Sequence, residues 1–330
     1  MAGKTEDYFV YYVEVSGLCN YRCPSCPNGN YPRPQAKGYM PLDLYGAILE
    51  KIAKTSPGRS TILYLFNWGE PTLHPELPRM IEMARALGLA PHLSSNLGAP
   101  KNLREIVRAR PASFRISLSG YFQETYAQTH QPGDIEQVKA NVRALHSHLD
   151  EQRGGFPVEF FYHKYRHNLG RDLLKMKEWA AELRFALTAL WAQYMPVEKL
   201  LAYYDGNPDP KDRPLLELLA ITPEEFRQVS LALRPGHPDC DLRARQMCID
   251  FDGAVSLCCA SYDRSNFLAG GYLDCSHEEL QQQKYRHPLC ARCLREGCDV
   301  TYVYGGLKEL DALVERKWGS ETACPHPSAC

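Results

Sequence analysis

Three cysteines, Cys19, Cys23 and Cys26, stand as C-x3-C-x2-C. Thiolates at this spacing can each hold one iron of a [4Fe–4S] cluster, leaving the fourth iron for an outside ligand. Zinc uses the same residue type but ordinarily takes four protein ligands from paired motifs. The other ten of the chain's 13 cysteines all lie between positions 240 and 330, so two separate sites are implied. In the second group, Cys240, Gly253 and Cys258 form C-x12-G-x4-C, and Cys290 and Cys293 form C-x2-C. Four such thiolates would complete the ligand shell of one cluster, or equally of one structural zinc.

The chain that must position these thiols has 330 residues, 44% hydrophobic and 23% charged, an ordinary globular composition. A net charge of −1 leaves no basic surplus for phosphates, which argues against nucleic acid as a main partner. No apolar run approaches the roughly 18 residues that span a bilayer, so no membrane partner is expected. Met1–Asp7 lacks a signal-peptide layout. Reduced thiols and a cytoplasmic location follow as expectations.

Strand-like runs at 8–15, 61–66, 91–95, 114–118, 158–163 and 187–193 alternate with helical patterns at 41–54, 75–87, 103–110, 135–149 and 171–183. Six such units predict parallel strands with right-handed crossovers, an α/β chain forming a partial (β/α)6 TIM-like barrel. A doubly wound sheet would produce the same string. Residues 203–213 (YYDGNPDPKDR) read as a linker, and a helix at 223–233 is capped by Thr222. The expected organisation is 1–202 barrel, 203–233 linker and helix, and 234–330 a small cysteine-rich domain.

The first trio, directly after the first strand, resembles the signature of the radical S-adenosylmethionine (SAM) superfamily. Asn67-Trp68-Gly69-Glu70-Pro71 resembles its Gly-Glu-Pro motif, and Ser95-Asn96 and Ser117-Leu118-Ser119-Gly120 follow in the family's order. The resemblance implies a cluster on Cys19, Cys23 and Cys26 that binds SAM through its open iron and yields a 5′-deoxyadenosyl radical. It implies that Glu70, with the backbone of Asn67–Gly69, takes the SAM ammonium. Asn96 and Ser117 would bind ribose or carboxylate oxygens, and Lys164 or Arg166 the carboxylate. Three positions depart from the family pattern: Ser25 replaces an aromatic, Leu97 a glycine, and Ser119 an aspartate.

The second group resembles the SPASM/twitch extension, whose cysteines hold auxiliary clusters. That resemblance implies one auxiliary [4Fe–4S] cluster on Cys240, Cys258, Cys290 and Cys293. A second cluster would need further ligands, and Cys298 lacks its usual partner because position 302 is Tyr302. Asp252-Gly253 signals a two-residue hairpin turn, which sets Cys248 opposite Leu257, on the face away from Cys258. A thiol there could point into the barrel mouth and return a hydrogen atom to a substrate radical. The aminoglycoside epimerases of the superfamily, neomycin C epimerase among them, use such a cysteine. A buried structural cysteine, or a ligand replacing Cys240, are the other readings of Cys248.

The expected activity is therefore epimerisation of a carbohydrate or aminoglycoside carbon with Cys248 as donor. Alternatives are dehydrogenation of an aminocyclitol alcohol, peptide modification, or a non-enzymatic iron–sulfur redox role. The first strand begins near Tyr8, which leaves no room for the winged domain of many peptide-modifying relatives and favours a small substrate. Glu159 is a candidate grip for an amino sugar. A flavodoxin- or ferredoxin-type protein is the expected reductant.

Overall fold

Strand β1 (Tyr8–Val13) buries every second residue. Phe9, Tyr11 and Val13 join a core with Tyr45, Ile48, Leu49 and Ile52, the apolar stripe of the helix Leu42–Thr55. The same alternation recurs in β4 (Ser113–Ser117) and β5 (Val158–Lys164). With β2 (Ser60–Tyr64), β3 (Ala90–Ser95) and β6 (Ala186–Trp191) they form six parallel strands paired in sequence order. A doubly wound sheet reverses its strand order midway; here every crossover runs the same way, as in a barrel. The sheet stays open, with β6 as one edge strand. The computed structural model describes residues 8–55, 60–152, 155–237, 239–303 and 307–319. Cys324 and Cys330 lie outside the described residues.

The sheet does not stop at the expected domain boundary. Strand β7 (Gln246–Ile249) pairs parallel with β1, with Tyr12 beside Cys248, and β8 (Val255–Ser256) adds antiparallel to β7. The cysteine-rich segment thus begins as an extension of the barrel sheet.

The hairpin register differs from the sequence expectation by one residue. Asp250 N–H bonds Ala254 O at 2.8 Å, so the loop is Phe251-Asp252-Gly253, with Gly253 left-handed at φ +85. Three-residue loops of this kind place glycine last, and Cys248 then pairs with Ser256 rather than Leu257. Because β8 ends at Ser256, alternation says nothing about Cys258 and Cys259.

Residues 203–213 are also more than a linker. The helix Val197–Tyr204 takes their start, and Asp212, 1% exposed, accepts from Lys199 Nζ at 2.7 Å and from the Tyr194 hydroxyl. A buried ion pair with a second donor anchors the segment.

Candidate active site

Cys19, Cys23 and Cys26 lie on the loop leaving β1 and line one cleft of about 440 Å³. Asn67, Gly69, Glu70, Asn96 and Ser117, at the C-terminal ends of β2, β3 and β4, line the same cleft. Active sites of barrel enzymes form at this end. Burial, with the nearby Glu70 charge, pushes the Cys19 thiol up to about 12, and burial pushes Cys26 up to about 11. Iron bound there would have to displace these protons, because the thiolate is the ligand.

Two buried carboxylates hold the loop after β2. Glu14, not singled out in the sequence, accepts from the N–H groups of Asn67 (3.2 Å), Trp68 (2.5 Å) and Gly69 (3.0 Å). Burial raises its pKa to about 8 against the pull of those donors. The Trp68 carbonyl, turned the other way, accepts from Asn28 Nδ2 at 3.0 Å. Glu70 Oε1 accepts from Thr72 N, Thr72 Oγ1 and Ser95 Oγ at 3.0, 2.6 and 2.7 Å. Among the described residues its Oε2 accepts only Asn96 N, at 2.7 Å, which leaves lone-pair capacity for a ligand ammonium.

Asn96 is largely committed to the cysteine loop: its Nδ2 donates to Asn20 Oδ1 at 3.0 Å and to Cys19 Sγ at 3.7 Å. The Ser117 hydroxyl makes no protein hydrogen bond among the described residues. Lys164 and Arg166 require a correction, because neither lines the cleft. Lys164 Nζ bonds Asp311 at 3.0 Å and sits 3.7 Å over the Trp191 ring. Arg166 lies over the Trp318 ring and reaches Glu217 O at 3.4 Å. Strand alternation turns His163, not Lys164, toward the cleft. Glu159 is likewise occupied, by Arg115 at 2.9 Å and Thr188 at 2.8 Å.

Arg115, His130 and His163 line the cleft and were missed. Arg115 and His163 share the inward face with Ser117 and Phe161, so strand period was the available signal. Burial, and then neighbouring His163, pushes His130 down to about 3. An unfolded histidine titrates near 6.5. Between those values the unfolded chain binds the extra proton, so stability falls as pH drops below 6.5. At pH 5 His130 is expected to cost about 2 kcal/mol relative to pH 7. Urea unfolding at both pH values should show a smaller acid loss in His130→Gln than in wild type.

Six of the remaining thiols divide between two cavities and the cleft. Cys240, Cys258, Cys290 and Cys293 all line one cavity with Leu257 and Leu289. Cys248, 1% exposed, lines a different cavity with Glu14 and Trp68, and its S–H donates to Gln246 Oε1 at 3.2 Å. Cys259 lines the main cleft, which holds no other cysteine beyond the N-terminal trio among the described residues. Its segment closes the open side of the barrel. It leaves β8 on one flank, and on the other Val197 N–H bonds Ala260 O at 2.8 Å while Glu198 accepts from Ser261 Oγ at 2.6 Å.

Residues 13–159 match the family model described as the radical SAM superfamily. This segment is similar to a radical SAM domain. Its cysteine trio, Glu70 loop and cleft fit a SAM-binding [4Fe–4S] cluster. A curated relative, the tungsten-containing aldehyde ferredoxin oxidoreductase cofactor-modifying protein of Pyrococcus furiosus, is 31% identical over 85 residues. That match covers 26% of this chain and 23% of the relative, so the chain spans under a quarter of that protein. Among solved structures, a histidine-tagged form of anSMEcpe with bound AdoMet aligns at TM-score 0.57 and 13% identity, over 94% of this chain and 99% of that one. SuiB of Streptococcus suis bound to S-adenosylmethionine aligns at TM-score 0.56 and 10% identity, over 88% and 68%. At these identities the likeness concerns the fold alone: an open parallel α/β barrel with a C-terminal extension. No helix among the described residues is long and apolar enough to cross a membrane.

Proposed function

We propose that this chain inverts a carbon of a small, hydroxyl-rich substrate, a carbohydrate or aminoglycoside, with Cys259 as the hydrogen-atom donor. The observation that carries the reading is the Cys259 thiol lining the SAM cleft while Cys248 is buried beside Gln246. The donor role therefore passes from the expected Cys248 to Cys259.

Cluster and SAM, when bound, supply the radical that removes the substrate hydrogen. The chain's own groups do the rest. Gln246 Oε1 accepts the Cys259 N–H at 2.8 Å, and its Nε2 donates to Cys259 Sγ at 3.5 Å. Both contacts fix the sulfur without using its S–H. Ser94, Arg115, Ser117 and Gln193 line the cleft with groups suited to hydroxyl recognition.

The spent thiol must regain an electron and a proton, so a flavodoxin- or ferredoxin-type reductant is the partner. Cys240, Cys258, Cys290 and Cys293 are the ligands of one auxiliary [4Fe–4S] cluster in this reading, with Cys258 adjacent in the chain to Cys259.

Dehydrogenation of an alcohol is the second reading, favoured by one observation. Burial, and then Arg115, pushes the cleft-lining His163 down to about 4, so a neutral imidazole is available to accept a hydroxyl proton.

Incubation with amino sugars, SAM and reductant in heavy water tests these readings. Deuterium at one inverted carbon, with one 5′-deoxyadenosine per product, is expected. An unlabelled ketone would replace inversion by oxidation, and absence of 5′-deoxyadenosine would remove both.

A further inference from the structure

Lys284, on the helix His277–Arg286, is fully buried. Among the described residues its ammonium forms no ion pair and has one hydrogen-bond partner, the carbonyl oxygen of Gln246. A buried ammonium without an anion is strongly disfavoured. Burial pushes the Lys284 ammonium down from its usual range, and the groups that pull it back up are thiols: Cys248, Cys258, Cys290 and Cys240, in decreasing order. Three of these four line the cavity assigned above to the auxiliary cluster. The cation that lines that cavity, Arg243, is already matched by Asp239. Lys284 is thus a buried amine with no anionic partner among the described residues, beside thiols that become anionic when iron binds.

We propose that Lys284 is the buried counter-charge of the auxiliary cluster and sets its reduction potential upward. The inference rests on the assignment of Cys240, Cys258, Cys290 and Cys293 as cluster ligands. A [4Fe–4S] centre with four thiolates is doubly negative when oxidised and triply negative when reduced. A fixed cation nearby favours the reduced form more than the oxidised form. The same cation destabilises the metal-free fold, because it then lacks its anion.

The test uses the full chain, reconstituted anaerobically, with the two clusters titrated separately by electron paramagnetic resonance. Lys284→Met removes the charge at similar length; Lys284→Gln removes it but retains a donor for the Gln246 carbonyl. Both are expected to shift the auxiliary potential to more negative values while the SAM-binding cluster stays unchanged. Iron-free Lys284→Met is expected to melt at or above iron-free wild type. Loss of iron from about eight to about four per chain, with an unaltered iron-free melt, would also support the counter-charge. An unchanged auxiliary potential in either variant would overturn the proposal, as would a lower iron-free melt or failure to fold, which makes Lys284 structural. Wild type holding only about four irons would instead overturn the auxiliary-cluster assignment itself.

Discussion

Cys259→Ala is expected to abolish inversion while 5′-deoxyadenosine continues to form. The cleft contains one thiol besides the cysteine trio among the described residues, so no second thiol stands ready in its place. A fall in inverted product on the order of 10³-fold is expected, equivalent to roughly 4 kcal/mol of barrier. The substrate radical, no longer quenched from the protein, should end as shunt products or as the original isomer with hydrogen returned. Cys248→Ala separates the two thiols. Its S–H is spent on Gln246 Oε1 away from the cleft, so this variant should retain inversion at a reduced rate. Measuring inverted product and 5′-deoxyadenosine together decides the matter. Normal turnover by Cys259→Ala, or complete loss in Cys248→Ala alone, would return the role to Cys248.

Gly69→Ala is expected to be the most damaging single-methyl change near the cleft. A Cβ at Gly69 would overlap the Ser16 carbonyl oxygen and crowd that of Leu18. Both are backbone atoms of the segment leading to the cysteine trio, and Leu18 O already accepts the Glu70 N–H at 2.8 Å. Neither can yield without displacing Cys19 or Glu70. Overpacking against backbone costs about 3 kcal/mol or more. SAM-dependent 5′-deoxyadenosine formation should fall by at least about 100-fold, the change in rate that some 3 kcal/mol produces. Gly46→Ala is the control. Its Cβ would meet the mobile Met83 methyl at 3.3 Å within a helix, where alanine is favoured over glycine by about 1 kcal/mol. Thermal melts and 5′-deoxyadenosine yields of both variants check the contrast.

The barrel was legible because its signals are local. Period-two burial marks β1 and β5, and i, i+3, i+4 spacing marks the helix Leu42–Thr55, so all six strands and their helices fall where the pattern placed them. Motif order along the chain likewise put Cys19, Cys23, Cys26, Glu70, Asn96 and Ser117 at strand ends, and those ends share one cleft. Lys164 and Arg166 failed because a residue's distance past a strand does not say which way it points. A C-terminal helix carrying Asp311 and Trp318 claims both cations. Glu14 went unnoticed because an isolated carboxylate after a strand carries no motif; its partners are backbone N–H groups more than 50 residues away.

Residue type and spacing alone determined that this chain carries its thiols in two groups, and that six parallel strand–helix units present the first of them. Those features depend on neighbours within a few residues, which the sequence displays directly. Only the tertiary structure decided which thiol meets the cleft. A third residue in the hairpin loop shifted the pairing of Cys248 by one. The segment after β8 then crosses the open side of the barrel to Val197 and Glu198, carrying Cys259 over the mouth. That crossing joins parts of the chain some 60 residues apart by a few hydrogen bonds, and nothing in the periodicity of either part encodes where they meet.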